Sequence, residues 1–131
     1  MISTSSLVEK YIKKATKDIE RLENYLSVSA ITRAPYIVAT STDAVVFAIV
    51  PTKNGRTTGV MSTTTNPLDA TGFTQRDAET VAAALTNGRG EPGVVVGQWD
   101  AVRRVLEITR DTLEMWEQIV IGIETEREAN L

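Results

Sequence analysis

The run Asp100–Ile123, DAVRRVLEITRDTLEMWEQIVIGI, decides the fold. Within it Val102, Leu106, Thr109, Leu113, Trp116, Val120 and Ile123 recur at alternating spacings of four and three. That is the seam of a long helix that asks for a partner. A second stripe lies beside the first: Ala101, Val105, Ile108, Thr112, Met115 and Ile119. One helix with two adjacent apolar stripes needs cover on more than one side. Either it lies between another helix and a sheet, or its second stripe meets another subunit. Asp100 can cap the helix, and Gly122 is a weak spot late in it, costing about 1 kcal/mol against Ala.

The opposite end of the chain carries a matching pattern. Ser6, followed three residues later by Glu9, forms a capping box for a first helix. From there Val8, Ile12, Ala15, Ile19, Leu22 and Leu26 again alternate four and three, flanked by Tyr11 and Tyr25. The helix should end in the serine-bearing stretch around Ser27 and Ser29, before Pro35.

Charge supports pairing the two. The chain has 131 residues and a net charge of −3, from 14 Lys and Arg against 17 Asp and Glu, so as a whole it is no polyanion binder. Lys10, Lys13, Lys14 and Lys17 form a basic block with no acid between them. Asp111, Glu114, Glu117, Glu124, Glu126 and Glu128 form an acidic block relieved only by Arg127. An antiparallel pair of terminal helices sets one block beside the other. The basic block then faces the acidic one within the fold or across a subunit interface, rather than nucleic acid or an anionic membrane. The pair can lie within one chain or be swapped between two.

Between the helices the period shortens. Tyr36–Thr40 and Ala44–Val50 read as strands, separated by the turn-like Ser41-Thr42-Asp43. Asn54-Gly55 marks a two-residue hairpin. Thr57–Ser62 is the expected third strand, and Pro51 should stop the second or place it at an edge. Thr63–Gly72 is a ten-residue polar loop, a length often tied to function. Thr74 caps a short middle helix, with Phe73 as its hydrophobic staple onto Ala78. Ala78, Val81, Ala82 and Leu85 form the inner face, and Asn87-Gly88 ends it. Val94–Val96 is a short buried strand leading into the last helix. The expectation is an α+β fold over residues 1–131 as a single domain. A three-to-four-stranded, mainly antiparallel sheet with a short middle helix is flanked by long terminal helices that pack antiparallel, in the order α-β-β-β-α-β-α.

Composition narrows the chemistry. Histidine and cysteine are both absent, which removes imidazole acid–base catalysis, thiol nucleophiles, zinc fingers and disulfides. The apolar share of 42% and charged share of 24% suit a globular core rather than a fibre or a disordered chain. Ala44–Val50 is the longest apolar run and is too short to cross a bilayer, and Met1 opens no secretory signal. The expected location is cytoplasmic, without membrane contact. Gly88-Arg89-Gly90-Glu91-Pro92-Gly93 lacks the Lys-Ser/Thr pair of a phosphate loop and precedes a strand, where a phosphate loop precedes a helix. Asp43, Asp69, Asp77, Glu79 and Glu91 each have a local role at a turn or helix terminus, so no carboxylate is left over as a catalyst. Scattered acids offer no metal cluster. The expectation is a protein that is not an enzyme and carries no cofactor.

Ligand binding without chemistry fits the remaining residues. Arg56, Arg89, Arg103 and Arg104, with Thr57 and Thr58, supply the forks and hydroxyls that a phosphate-bearing small molecule meets. Phe73 or Trp99 can stack on a base. Each also has a plainer role: Phe73 as staple, Trp99 as core, Arg56 and Arg89 as solvated turn tips. Arg103 and Arg104 are the least explained by structure, because the helix dipole disfavours cations in a first turn.

The stretch Phe73-Thr74-Gln75-Arg76-Asp77-Ala78-Glu79, continuing through Ala82 to Asn87-Gly88-Arg89-Gly90, resembles a segment of small accessory proteins of bacteriophages and prophages. It covers under a fifth of the chain. The small size and the lack of cysteine and histidine also look like phage counter-defence proteins, which act by occupancy: some sequester nucleotide immune signals, others block a CRISPR nuclease. The resemblance implies a class of role and carries over no binding residue. It implies the host cytosol as location. The leading expectation is a homo-oligomer, joined through its terminal helices, that sequesters an anionic nucleotide-like small molecule. The alternative is a protein-interaction inhibitor or phage assembly factor that presents its acidic C-terminal face to a basic partner.

Overall fold

The computed structural model describes residues 4–28, 35–50, 52–53, 56–57 and 62–130. The fold is α+β: helix α1 (Thr4–Val28), strands β1 (Tyr36–Ala39), β2 (Phe47–Ile49), β3 (Thr52–Lys53), β4 (Arg56–Thr57) and β5 (Ser62–Thr64), helix α2 (Gln75–Ala84), strand β6 (Val94–Gly97) and helix α3 (Gln98–Ala129). The chain divides into two compact units. One comprises residues 28–105, the other residues 1–27 with 106–131.

The first unit is built on a four-stranded antiparallel sheet in the order β5-β2-β1-β6. Each sheet face has its own core. On one, Ala78, Ala82 and Leu85 pack on Val38, Ala48 and Val50, with Tyr36, Phe73, Val81 and Val95 around them. On the other, Ala101 of α3 joins Ile37, Ala39, Phe47 and Ala70, with Val94, Val96 and Val105 alongside. The alternation along β1 explains the split: Val38 points to one helix and Ile37 and Ala39 to the other. Small residues on α2 allow close approach. A Cβ at Gly93 would lie 2.8 Å from the Ala82 Cα and run into its backbone, so only glycine fits there.

Several boundaries differ from the sequence reading. Strand β2 starts at Phe47, not Ala44. Ala44 takes a left-handed φ of 55°, and the Ser41 hydroxyl accepts from the amides of Val45 and Val46, which widens the turn. The strand that pairs with β2 is Ser62–Thr64, not Thr57–Ser62, so the polar loop begins at Thr65. Thr57 belongs instead to a two-stranded ribbon in which Lys53 pairs with Arg56, consistent with the two-residue hairpin; Asn54 and Gly55 themselves lie outside the described residues, as does Pro51. The loop is wired to the sheet: the Thr71 hydroxyl accepts from the Val50 amide and donates to its carbonyl, and Pro67 is fully buried. Helix α2 has the expected cap, with the Asp77 amide donating to the Thr74 hydroxyl at 3.2 Å. Its end passes Asn87-Gly88 as a π-type turn (Leu85–Arg89) and stops at Gly90, whose φ of 67° suits glycine. Strand β6 lies at the sheet edge beside β1.

The second unit is a helical hairpin of α1 and the remainder of α3. Val8, Ala15 and Leu22, seven residues apart, are buried on α1, while Ile12, Ile19 and Leu26 are half-buried. The rings of Tyr11 and Trp116 stack at 5.0 Å, and Arg110 reaches Glu23 at 3.5 Å. Contacts that rise along α1 as they fall along α3 make the pair antiparallel, as the seams predicted. Helix α1 starts at Thr4, so Ser6 sits inside the first turn rather than at the cap, and α3 starts at Gln98, which puts Asp100 in its first turn.

Candidate functional site

The hairpin carries the least satisfied surface of the described residues. By helical geometry Ile108, Thr112, Met115 and Ile119 lie on one stripe of α3, and Leu7, Tyr11, Lys14 and Asp18 on one stripe of α1. The two stripes adjoin: Tyr11, Lys14, Ala15, Asp18, Thr109, Thr112 and Trp116 line one cleft of about 180 Å³. A volume of that size is too small for a nucleotide, since ligand pockets run to roughly 300 Å³ and more. Around it Leu7, Tyr11, Ile108, Met115 and Ile119 are exposed, Met115 by 50%. The opposite side of the hairpin carries Ile12, Ile19 and Leu113, all half-buried, with the Glu23–Arg110 pair. The apolar exposure is therefore one-sided, with Ile121 the exception on α3.

The charge blocks stay exposed. Lys10, Lys13, Lys14 and Lys17 are exposed, as are Asp111, Glu114, Glu117, Glu124, Glu126 and Glu128. Among the described residues none of these ten forms an ion pair with another. The antiparallel register brings the blocks to the same end of the hairpin, but most of their side chains point to solvent from the outer faces.

Of the predicted ligand-binding residues, the structure brings two together. The Arg103 guanidinium sits over the Trp99 ring at 5.1 Å, a cation–π contact at the four-residue spacing of one helix face. Trp99 is half-buried, and its indole N–H is buried without a hydrogen-bond partner among the described residues. Arg104 is exposed and points about 100° away from Arg103 around the helix axis. Phe73 packs on the α2 side of the sheet, tied through its backbone to Tyr36 at 2.9 and 2.7 Å. The hollow beside it is lined by Pro35, Gly72, Thr74 and Asp77. That hollow holds a carboxylate and none of the predicted arginines. The side chains of Arg56, Thr57 and Arg89, and the whole of Thr58, lie outside the described residues.

The sequence reading named Tyr11 as a flank of the seam and left Leu7 out. The signal was present, since Leu7, Tyr11, Lys14 and Asp18 alternate four and three like the seam itself. Its two charged members hid it. Among the described residues no group of three or more acids is placed to hold a metal ion, and no helix is long and apolar enough to cross a membrane. No protein family, curated protein or solved structure matches the chain.

Proposed function

We propose that the protein is a non-enzymatic, homo-oligomeric binding protein that sequesters an anionic, nucleotide-like small molecule, acting by occupancy as phage counter-defence proteins do. The observation that supports this reading is the Trp99–Arg103 pair at the start of α3. The Trp99 ring and the Arg103 guanidinium 5.1 Å over it set an aromatic group and a phosphate-binding group on one helix face, while Arg104 points about 100° away. On this reading the protein works in the cytoplasm, in the host cytosol if it is phage-encoded. Native mass spectrometry of the protein as purified, followed by calorimetric titration with mono-, di- and cyclic nucleotides, tests it. Replacing Arg103 and Arg104 together by alanine should weaken capture by at least about tenfold, because hydrogen bonds to charged groups contribute roughly 1.5–3 kcal/mol each. Equal affinity in that double variant contradicts the assignment.

A second reading, inhibition or assembly through direct protein contact, is favoured by one observation. The acids from Asp111 to Glu128 remain exposed and free of ion pairs among the described residues, so they are open to a basic partner. Charge reversal at Glu114 and Glu117 should then abolish partner capture and leave nucleotide binding intact.

A further inference from the structure

We infer that the Leu7–Tyr11–Ile108–Met115–Ile119 face of the hairpin is covered by the same face of a second copy, giving a two-fold four-helix bundle in which α1 of each protomer lies against α3 of its partner. This rests on the homo-oligomeric reading above and names its interface.

Three observations on the hairpin carry it. First, Leu7, Tyr11, Ile108, Met115 and Ile119 are exposed on one side of the hairpin, around a cleft that Lys14, Asp18 and Thr112 also line, while the sheet unit packs a core on each face of its sheet. Exposed apolar side chains scattered singly are ordinary, but five on one side of a two-helix unit form a patch. Two helices alone cannot enclose a core, and a second hairpin completes the bundle.

Second, the rims of the face carry opposite charge by helix. Lys10, Lys14 and Lys17 outnumber one half-buried acid, Asp18, along it on α1, and Asp111 and Glu126 border it on α3. The three lysines and the two α3 acids are exposed, and none of the five is ion-paired among the described residues. A foreign partner matching this face would need acid opposite α1 and base opposite α3. A second copy with α1 set against α3 supplies both, twice, by symmetry. The alternative with α1 against α1 sets lysines against lysines.

Third, Gly122 falls on this stripe, three residues after Ile119 and seven after Met115. Among the described residues a Cβ there would meet nothing within 4 Å. A small residue at this point lets a partner helix approach closely.

Sedimentation velocity of the full chain at tens of micromolar tests the inference. The wild type should sediment as a dimer, and Met115→Glu and Ile119→Asp should each give monomers with unchanged far-ultraviolet circular dichroism. Ile121→Asp, on the other side of α3, should remain dimeric. A wild-type monomer overturns this inference and the homo-oligomeric reading together. An oligomer that survives Met115→Glu and Ile119→Asp overturns the interface and leaves that reading standing. Orientation is tested by two charge-reversed chains. Lys10, Lys14 and Lys17 all changed to Glu should not self-associate, nor should Asp111 and Glu126 both changed to Lys. An equimolar mixture should form the heterodimer. Self-association of the first variant alone overturns the α1-to-α3 arrangement.

Discussion

The sheet unit and the helical hairpin solve the burial problem in opposite ways. In the sheet unit, residues that alternate along β1 feed two separate cores, and helices cover both. Phe47, Ile37 and Val38 are fully buried, and even the polar loop is tied back through Thr71 and Pro67. In the hairpin the most buried residues are Val8, Ala15 and Leu22 on α1 and Leu106 on α3, and the flanking stripe stays in water. A unit with a core on each face of its sheet has its apolar strand residues covered. A unit closed on one side and lined with apolar and charged residues on the other has surface left for a partner, which is why the assembly surface is placed there.

Substitutions can break or sharpen that contrast. Phe47→Ala should cost about 4 kcal/mol in urea unfolding, the value for emptying a tightly enclosed aromatic site. Gly93→Ala should cost about 3 kcal/mol, because the new methyl meets backbone at Ala82, which cannot rotate away. Removing the α2 cap with Thr74→Ala should cost about 1 kcal/mol. On the hairpin, Gly122→Ala should raise the helicity of the isolated protomer, with a gain of about 1 kcal/mol, while weakening self-association. Met115→Ala should change protomer stability by less than about 0.5 kcal/mol, as exposed substitutions do, yet weaken the dimer. If Met115→Ala cost as much as Phe47→Ala in a monomeric chain, the face would be closed within the protomer and the contrast would fail.

The helices were legible in the sequence because periodicity reports burial directly. The seams at Val8–Leu26 and Val102–Ile123 needed no knowledge of what they faced. The antiparallel sheet followed from the β-branched runs, whereas Asn54-Gly55 marks the separate ribbon in which Lys53 pairs with Arg56. Strand limits were less legible, because Ala44 and Val45 are as apolar as a strand residue while a serine hydroxyl at Ser41 pulls their backbone into a turn. The candidate site was less legible still. Arg103 and Arg104 are neighbours in sequence, but a helix turns them apart, and Phe73 is occupied by its role beside Tyr36. Grouping residues by type could not show this. The hairpin face was half visible, since the stripe of Ile108, Met115 and Ile119 was read as needing cover. Its α1 half was masked by Lys14 and Asp18.

Hydrogen–deuterium exchange of the wild type at two protein concentrations, one well above and one well below the dimer dissociation constant, tests the central claim most directly. Complexation stabilises only the state that binds, so protection should follow concentration where the partner sits. Peptides from residues 4–28 and 106–129 are expected to lose protection on dilution, while peptides from 36–49 and 94–97 keep theirs. Equal protection of the hairpin at both concentrations would contradict the account, because helices stable in isolation have no need of a second copy.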